Sequence, residues 1–117
     1  MSQRTTTTIL TNNVSTSASF DTSSMDLNIQ SGVSFYVKWT KTAGTLAGTA
    51  DIKASNDNIN FVSVVNSSGA SVAQTIPDAS SDYMFNIADI FAKYVKVSIT
   101  LTGGTATFFI VAHAKQR

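Results

Sequence analysis

The chain has 117 residues with a formal net charge of +1, one His, one Pro and no Cys. A chain of this length forms one compact domain and buries about two-thirds of the surface that its unfolded form exposes, so it needs neither disulfides nor metal to fold. Ser and Thr are abundant, 16 of each, whereas Glu is absent and only 13% of residues are charged. This composition excludes an amphipathic helical protein and a nucleic-acid surface built on bulk positive charge, and it indicates a β-rich domain.

The start of the chain lacks the apolar core of a signal peptide. No stretch approaches the roughly 18 apolar residues that a membrane-spanning helix requires, so we expect no membrane partner. The absence of Cys excludes disulfides, thiol catalysis and thiolate metal sites together.

The first 13 residues predict an extended N-terminal arm, followed by a β-sandwich domain over residues 14–117. The beginning of this arm has strand propensity but offers no apolar side chain before Ile9. Such a segment is either a frayed terminus or an arm that pairs with the sheet edge of another chain, and the sequence leaves both open. The candidate docking residues are Thr5, Thr6, Thr7, Thr8 and Ile9. Weaker strand patterns follow over residues 14–20 and 25–29.

Period-two alternation of apolar and polar residues predicts four further strands, each with one apolar face. The first runs from Val33 to Trp39, and the others cover residues 46–54, 94–101 and 105–113. Because Trp39 lies in phase with the apolar residues of its strand, we expect it in the core rather than against a sugar.

Turn residues separate these patterns. Gly103 and Gly104 predict a tight hairpin between the last two strands, since glycine accepts the positive φ of such turns. The segment 55–58 predicts the end of another strand, with a partner strand over residues 61–65 and a short strand over 72–76. A helical turn is expected over 87–92, where the alternation lapses. Together these signals predict an all-β sandwich or small barrel.

The sequence contains no constellation typical of catalysis. His113 is the sole His and has no spacing to a second ligand or nucleophile, and the seven Asp residues are scattered. The segment Asn56 to Asn60 resembles the alternating oxygens of a calcium loop but lacks its glycine and its terminal carboxylate, so a hairpin turn is favoured. We therefore expect no catalytic, cofactor-binding or metal-binding residues, and a protein that is not an enzyme.

The candidate ligand-facing residues are the aromatic side chains Tyr36, Tyr83 and Tyr94. Tyr36 and Tyr94 fall on the polar phases of their strands, which they share with Lys38 and Lys96. An aromatic and cationic patch would form if these two strands were neighbours at that point.

Two segments resemble hairpins of known families. Gly48 to Val62 is similar to a strand–"S-N-D-G-x-N-W"–strand hairpin, with Asn58 in place of the Gly and Phe61 in place of the Trp. Residues 92–107 resemble an "A-R-Y-V-R-V…T-G-G-T-G-T" hairpin. Both segments resemble discoidin-like jelly rolls that bind carbohydrate or lipid, and small β-sandwich structural proteins of tailed bacteriophages. The terminal Cys pair of secreted discoidin domains is absent.

The resemblance implies a single antiparallel β-sandwich of jelly-roll-like type, with about seven to nine strands and little or no helix. It further implies a non-enzymatic virion structural protein, either a capsid-decoration or a tail-associated subunit. Its expected partners are other virion proteins and further copies of itself in a homo-oligomer, and its expected location is the virion after synthesis in the host bacterial cytoplasm. The alternative is a carbohydrate-binding β-sandwich module, with a glycan as its ligand.

Overall fold

The computed structural model describes residues 5–27, 32–65, 68–70, 72–87 and 92–115, which form eight antiparallel strands without a helix in those ranges. The strands are β1 (Thr5–Thr16), β2 (Phe20–Asp21), β3 (Met25–Asp26), β4 (Gly32–Ser55), β5 (Val62–Ser63), β6 (Gln74–Ile76), β7 (Ser81–Ile87) and β8 (Tyr94–Lys115). The predicted all-β antiparallel class and its number of strands are confirmed.

Two long strands organise the fold. β4 and β8 pair antiparallel along their full lengths, from Gly32 opposite Lys115 to Ser55 opposite Tyr94. The register of this pair shifts within residues 41–48 of β4, and these irregularities divide the ladder into two parts. Each long strand therefore contributes to two sheets.

Sheet I contains β1, residues 105–115 of β8, residues 32–41 of β4, and β7, in that order. Sheet II contains β2 and β3 on one side, residues 94–101 of β8, residues 48–55 of β4, and then β5 and β6 on the other side. The eight strands form one hydrogen-bonded sheet, which the bend folds into these two layers, each four strands wide, as in a jelly roll.

The apolar faces of the two sheets enclose one core. Phe20, which lies beside β8 in sheet II, packs edge-to-face on Phe108 of sheet I with 5.4 Å between ring centroids. Phe35, Trp39 and Phe108 are at most 2% exposed, and each contributes about 1.5–3 kcal/mol through burial. The Trp39 indole Nε1 donates a hydrogen bond to the carbonyl of Ala79 at 3.1 Å, so its polar atom is satisfied. The predicted core position of Trp39 is confirmed.

Glycines permit the close approach of β4 and β8 at the bend between the two sheets. Gly44 and Gly104 have φ values of 71° and 78°, in the left-handed region that favours glycine. A Cβ at residue 104 would lie 2.6 Å from the Cα of Leu46, and one at residue 48 would collide with the carbonyl of Thr100. Side chains are thus excluded where the two backbones cross from one sheet to the other.

The expected hairpin at Gly103 and Gly104 is wrong. β8 continues through both glycines, and its two halves pair with β4 instead of with each other. The physical reason is that a positive φ at Gly104 is compatible with a bend in a continuous strand as well as with a hairpin turn. Pairing of both halves of β8 with the long strand β4 favours the bend. The "T-G-G-T" segment therefore carries β8 from sheet II into sheet I.

Asp78, which lies in the loop before β7, stabilises this bend through two contacts. Its Oδ1 atom accepts a hydrogen bond from the backbone N–H of Leu46 at 2.9 Å and forms an ion pair with Lys41 Nζ at 2.6 Å. Both contacts favour the ionised carboxylate and lower the pKa of Asp78, the contact from Lys41 more strongly.

The other sequence-predicted elements correspond to the structure as follows. The four alternating patterns are confirmed and merge in pairs into β4 and β8. The weaker pattern at 14–20 corresponds to the end of β1 and the start of β2, and that at 25–29 begins as β3, while its residues 28 and 29 lie outside the described residues. The predicted strands at 61–65 and 72–76 are shorter as β5 and β6. Most of the helical turn expected over 87–92 lies outside the described residues. β7 was not predicted.

The close packing at the bend predicts how much stability a methyl group added at Gly104 would remove. Gly104→Ala should lower the free energy of unfolding by about 3 kcal/mol, since it combines an unfavourable φ with a collision against Leu46. Gly69→Ala is the matched control, because Gly69 has a φ of 82° but no atom within 4 Å of its added Cβ, and it should cost about 1 kcal/mol. Urea unfolding of both variants checks the difference. Equal losses would contradict a close-approach constraint at residue 104.

Candidate functional surface

The outer face of sheet II is a network of paired polar groups. Asp21 accepts a hydrogen bond from Ser98 Oγ at 2.7 Å and forms an ion pair with Lys96 Nζ at 3.0 Å. The hydrogen bond from Ser98, followed by the contacts with Lys96, lowers the pKa of Asp21. Lys96 also lies over the ring of Phe61, 4.1 Å from its centroid, as in a cation–π contact.

The same face continues with polar residues along β4. Ser63 Oγ donates a 2.6 Å hydrogen bond to Asp51 Oδ2, and Thr49 lies opposite both Thr75 and Thr100. Groups that already satisfy one another gain little from a further partner. The outer face of sheet II is therefore polar, and its groups pair with one another.

The outer face of sheet I carries large apolar side chains instead. The strand register places Ile9, Val111, Tyr36 and Met84 side by side, one from each strand of the sheet. Ile9 is 57% exposed and Met84 is 49% exposed, while Val111 and Tyr36 between them are partly buried. We name these four residues the apolar row. Phe109 lies next to Val111 on the same face and extends the row along β8.

Polar groups border the apolar row. The hydroxyl of Tyr36 donates a 2.8 Å hydrogen bond to Asp82 Oδ2, and this bond raises the pKa of Tyr36. On the other side of the row, Thr7 Oγ1 and His113 Nδ1 lie 2.7 Å apart and share a hydrogen bond. An apolar centre with a polar rim is the usual anatomy of a protein interface.

The three candidate tyrosines lie on three different surfaces. Tyr36 is on the outer face of sheet I, and Tyr94 is on the outer face of sheet II, opposite Ser55. Tyr83 lies at the edge of sheet I in phase with the core residue Phe85, and their rings form an edge-to-face pair at 4.8 Å. The patch that would unite Tyr36 and Tyr94 with their neighbouring lysines does not form. The role of each tyrosine in ligand binding stays a prediction.

The candidate docking residues are part of sheet I. Residues 5–9 belong to β1 and pair with residues 111–115 of β8 in the same chain. β1 continues to Thr16, across the domain boundary that the sequence predicted after residue 13. The docking role of this segment, like that boundary, stays a prediction, and Ile9 enters it as a member of the apolar row.

His113 is exposed on the outer face of sheet I. It borders a cleft of about 220 Å³ at the end of the sheet, together with Ser34, Asn86 and Lys115. Within the described ranges, no three His, Cys, Asp or Glu residues are grouped closely enough to hold a metal ion. The same ranges contain no helix with the length and hydropathy needed to cross a membrane.

The calcium-like segment is a hairpin turn between β4 and β5. Asp57 Oδ1 accepts hydrogen bonds from the backbone N–H groups of Ile59 at 2.9 Å and Asn60 at 2.8 Å, and from Ser55 Oγ at 2.8 Å. Its second oxygen, Oδ2, accepts one from the Asn60 amide at 2.7 Å. The bonds from Asn60 and Ile59 hold the pKa of Asp57 well below its usual range. The carboxylate thus serves the turn itself.

Sequence reasoning missed the contribution of β7 to the surface. Tyr83, Phe85 and Ile87 do alternate, but the exposed Met84 lies between the two rings and turns the pattern into an apolar run. The outward-facing Met84 on this edge strand is therefore the reason that the alternation does not predict β7.

No protein-family model matches the sequence, and no curated protein matches it by sequence. Solved structures do match it. A protein derived from the SPBc2 prophage, YomS, superposes with a TM-score of 0.59 at 12% identity, over 99% of this chain and 96% of that one. The VP2 protein of infectious bursal disease virus, in its subviral particle, superposes with a TM-score of 0.66 at 11% identity, over 98% of this chain.

The match to VP2 covers 33% of that protein, so this chain corresponds to about a third of it. The structure of the Gx strain of the same virus gives a TM-score of 0.56 at 10% identity. At these identities the likeness establishes the fold alone. The chain is thus an all-β jelly roll of a kind found in a prophage-derived protein and in a viral particle.

The turn at Asp57 predicts a pH dependence of stability. Because the pKa of Asp57 is lower in the folded state than its ordinary value of about 3.9, its charge stabilises the fold above that pH. This contribution is lost as the pH falls toward the folded-state pKa. Asp57→Asn keeps an accepting oxygen but removes the charge, so thermal unfolding should show the variant less stable near neutral pH. The gap to wild type should narrow below about pH 4, and a gap independent of pH would contradict the assignment.

Proposed function

We propose that the chain is a non-enzymatic structural protein of a bacteriophage particle, a capsid-decoration or tail-associated subunit that acts through protein–protein contacts. The observation that carries the proposal is the apolar row on sheet I, an exposed surface that spans all four strands. Such a row is costly to leave in water and gains most from contact with another protein surface.

The contrast between the two outer faces supports a docking role for sheet I. On sheet II, charges such as Lys96 and Asp21 satisfy each other, whereas on sheet I, Ile9 and Met84 remain more than two-fifths exposed. Hydrophobic area can be buried against a partner without leaving a charge unpaired, which gives sheet I the lower desolvation cost.

The structural likenesses support the viral setting. The match to the prophage-derived protein extends over 99% of this chain and 96% of that one, so the two share the same fold over that length. The match to VP2 places the same fold in a viral particle. A fold hosts many functions, so the assignment to a particle rests on the fold together with the exposed row.

A modest contact area per copy is sufficient for assembly on a repeating lattice. Each copy would bury its apolar row against a particle subunit, and symmetric placement would multiply a weak affinity per copy. The nearly neutral net charge of +1 also favours apolar docking over recognition of a highly charged ligand.

The carbohydrate-binding alternative has less support. Stacking on a sugar ring requires an exposed aromatic face with polar groups beside it. The three candidate tyrosines lie on separate surfaces, and the Tyr36 hydroxyl is already bonded to Asp82. A glycan array tests this alternative independently of particle binding.

Particle association tests the proposal directly. The purified protein, added to particles of the virus that encodes it, should co-sediment with them in a density gradient. Ile9→Lys places a charge in the apolar row and should reduce the bound copies at least tenfold, the effect of about 1.4 kcal/mol of lost contact. Val62→Lys, at a residue of β5 that is 69% exposed, is the matched control and should bind normally. Wild-type protein that never co-sediments would overturn the proposal.

A further inference from the structure

The edge of sheet I formed by β7 is unusually open. β7 pairs with β4 over seven consecutive residues, from Ile87 opposite Val33 to Ser81 opposite Trp39, without a register shift. Among the described strands, none pairs with the opposite edge of β7. A long regular edge is a template for pairing with another strand.

The other sheet edges carry the features that discourage such pairing. β1 has two register shifts, and its Asn13 adopts a φ of 54°. β2, β3, β5 and β6 are only two or three residues long. Bulges and short edges protect natural sheets from unwanted partners, whereas β7 contains no Lys, Pro, Gly or bulge.

The sequence of β7 is complementary to itself around Met84. When two copies of β7 run antiparallel and the two Met84 residues face each other, Asp82 lies opposite Asn86 of the second copy. In the same register Tyr83 lies opposite Phe85 of the second copy, on the core side of the sheet. The pairs formed by residues 82–86 therefore match in character: an acceptor faces an amide donor, a ring faces a ring, and Met faces Met, whereas Ser81 at the end of the strand lies opposite Ile87.

The neighbouring registers lack this match. Centring the pair on Tyr83 would place Asp82 opposite Met84, and centring it on Phe85 would place Met84 opposite Asn86. Both arrangements put a polar group against an apolar one on the outer face. The register centred on Met84 also avoids opposing the two Asp82 charges, which would repel each other.

We propose that two copies of this chain pair through β7, antiparallel and centred on Met84, to form one continuous eight-stranded sheet. The two-fold axis is perpendicular to the sheet, so the two outer faces lie on the same side and the two apolar rows join end to end through Met84. The edge-to-face pair of Tyr83 and Phe85 becomes a cluster of four rings, which covers the exposed ring of Tyr83. The inference goes beyond the proposed function, because it concerns self-association in solution.

Charge reversal at the axis tests this pairing. Met84→Lys and Met84→Glu each place two like charges face to face, so each variant alone should be monomeric in sedimentation equilibrium while wild type forms a dimer. Mixed together, the two variants should form a one-to-one heterodimer, since Lys then faces Glu. Val14→Lys, at a residue 50% exposed on the opposite edge, matches Met84 in exposure and should remain dimeric.

A thiol at the axis gives a second readout that does not depend on how the charged variants fold. The chain has no Cys, so Met84→Cys introduces a single thiol that faces its own copy. Mild oxidation should link Met84→Cys into dimers and leave Val14→Cys monomeric, because directly opposed Cβ atoms lie within about 5.5 Å. Wild-type protein that stays monomeric up to about 1 mM would overturn the pairing, and so would a Met84→Lys dimer or a mixture without heterodimer. Particle co-sedimentation is scored separately, so either proposal can fail alone.

Discussion

The close approach of two backbones at one bend determines the rest of the structure. Gly44, Gly48 and Gly104 exclude side chains where β4 and β8 cross, and this allows a single antiparallel ladder to fold over and face itself. Asp78 stabilises the bend by accepting a hydrogen bond from the N–H of Leu46 and by forming an ion pair with Lys41. In both long strands the inward-facing positions change from odd to even residue numbers across the bend, so that Trp39 and Leu46 of β4, like Ile99 and Ala106 of β8, are all buried.

That alternation also decides which side chains remain outside. On sheet II several outward positions hold polar groups that pair with one another, as Lys96 does with Asp21 and Ser63 does with Asp51. On sheet I the outward positions of four adjacent strands hold Ile9, Val111, Tyr36 and Met84. The sandwich therefore has one polar face and one face with an exposed apolar row, and in the proposed pairing through β7 that row continues into a second copy.

Much of the fold was predictable because burial imposes a local pattern. The phases of Val33 to Trp39 and of residues 94–101 were sufficient to assign inward faces, and Trp39 was placed correctly. Local pattern could not distinguish a hairpin from a bend at Gly103 and Gly104, since that choice depends on pairing with β4 far away in sequence. The apolar row was equally hidden, because its members meet only through the register of four strands. β7 was missed because the outward Met84 interrupts its alternation.

We propose that the outer face of sheet I and the β7 edge form the contact surface of this protein. A cryo-electron microscopy reconstruction of the protein bound to particles of the virus proposed to encode it would show that surface. We expect the apolar row to be buried against a particle subunit, with β7 paired antiparallel to β7 of a second copy around Met84. A reconstruction in which sheet I faces solvent while the polar face of sheet II, around Lys96 and Asp21, forms the contact would contradict it.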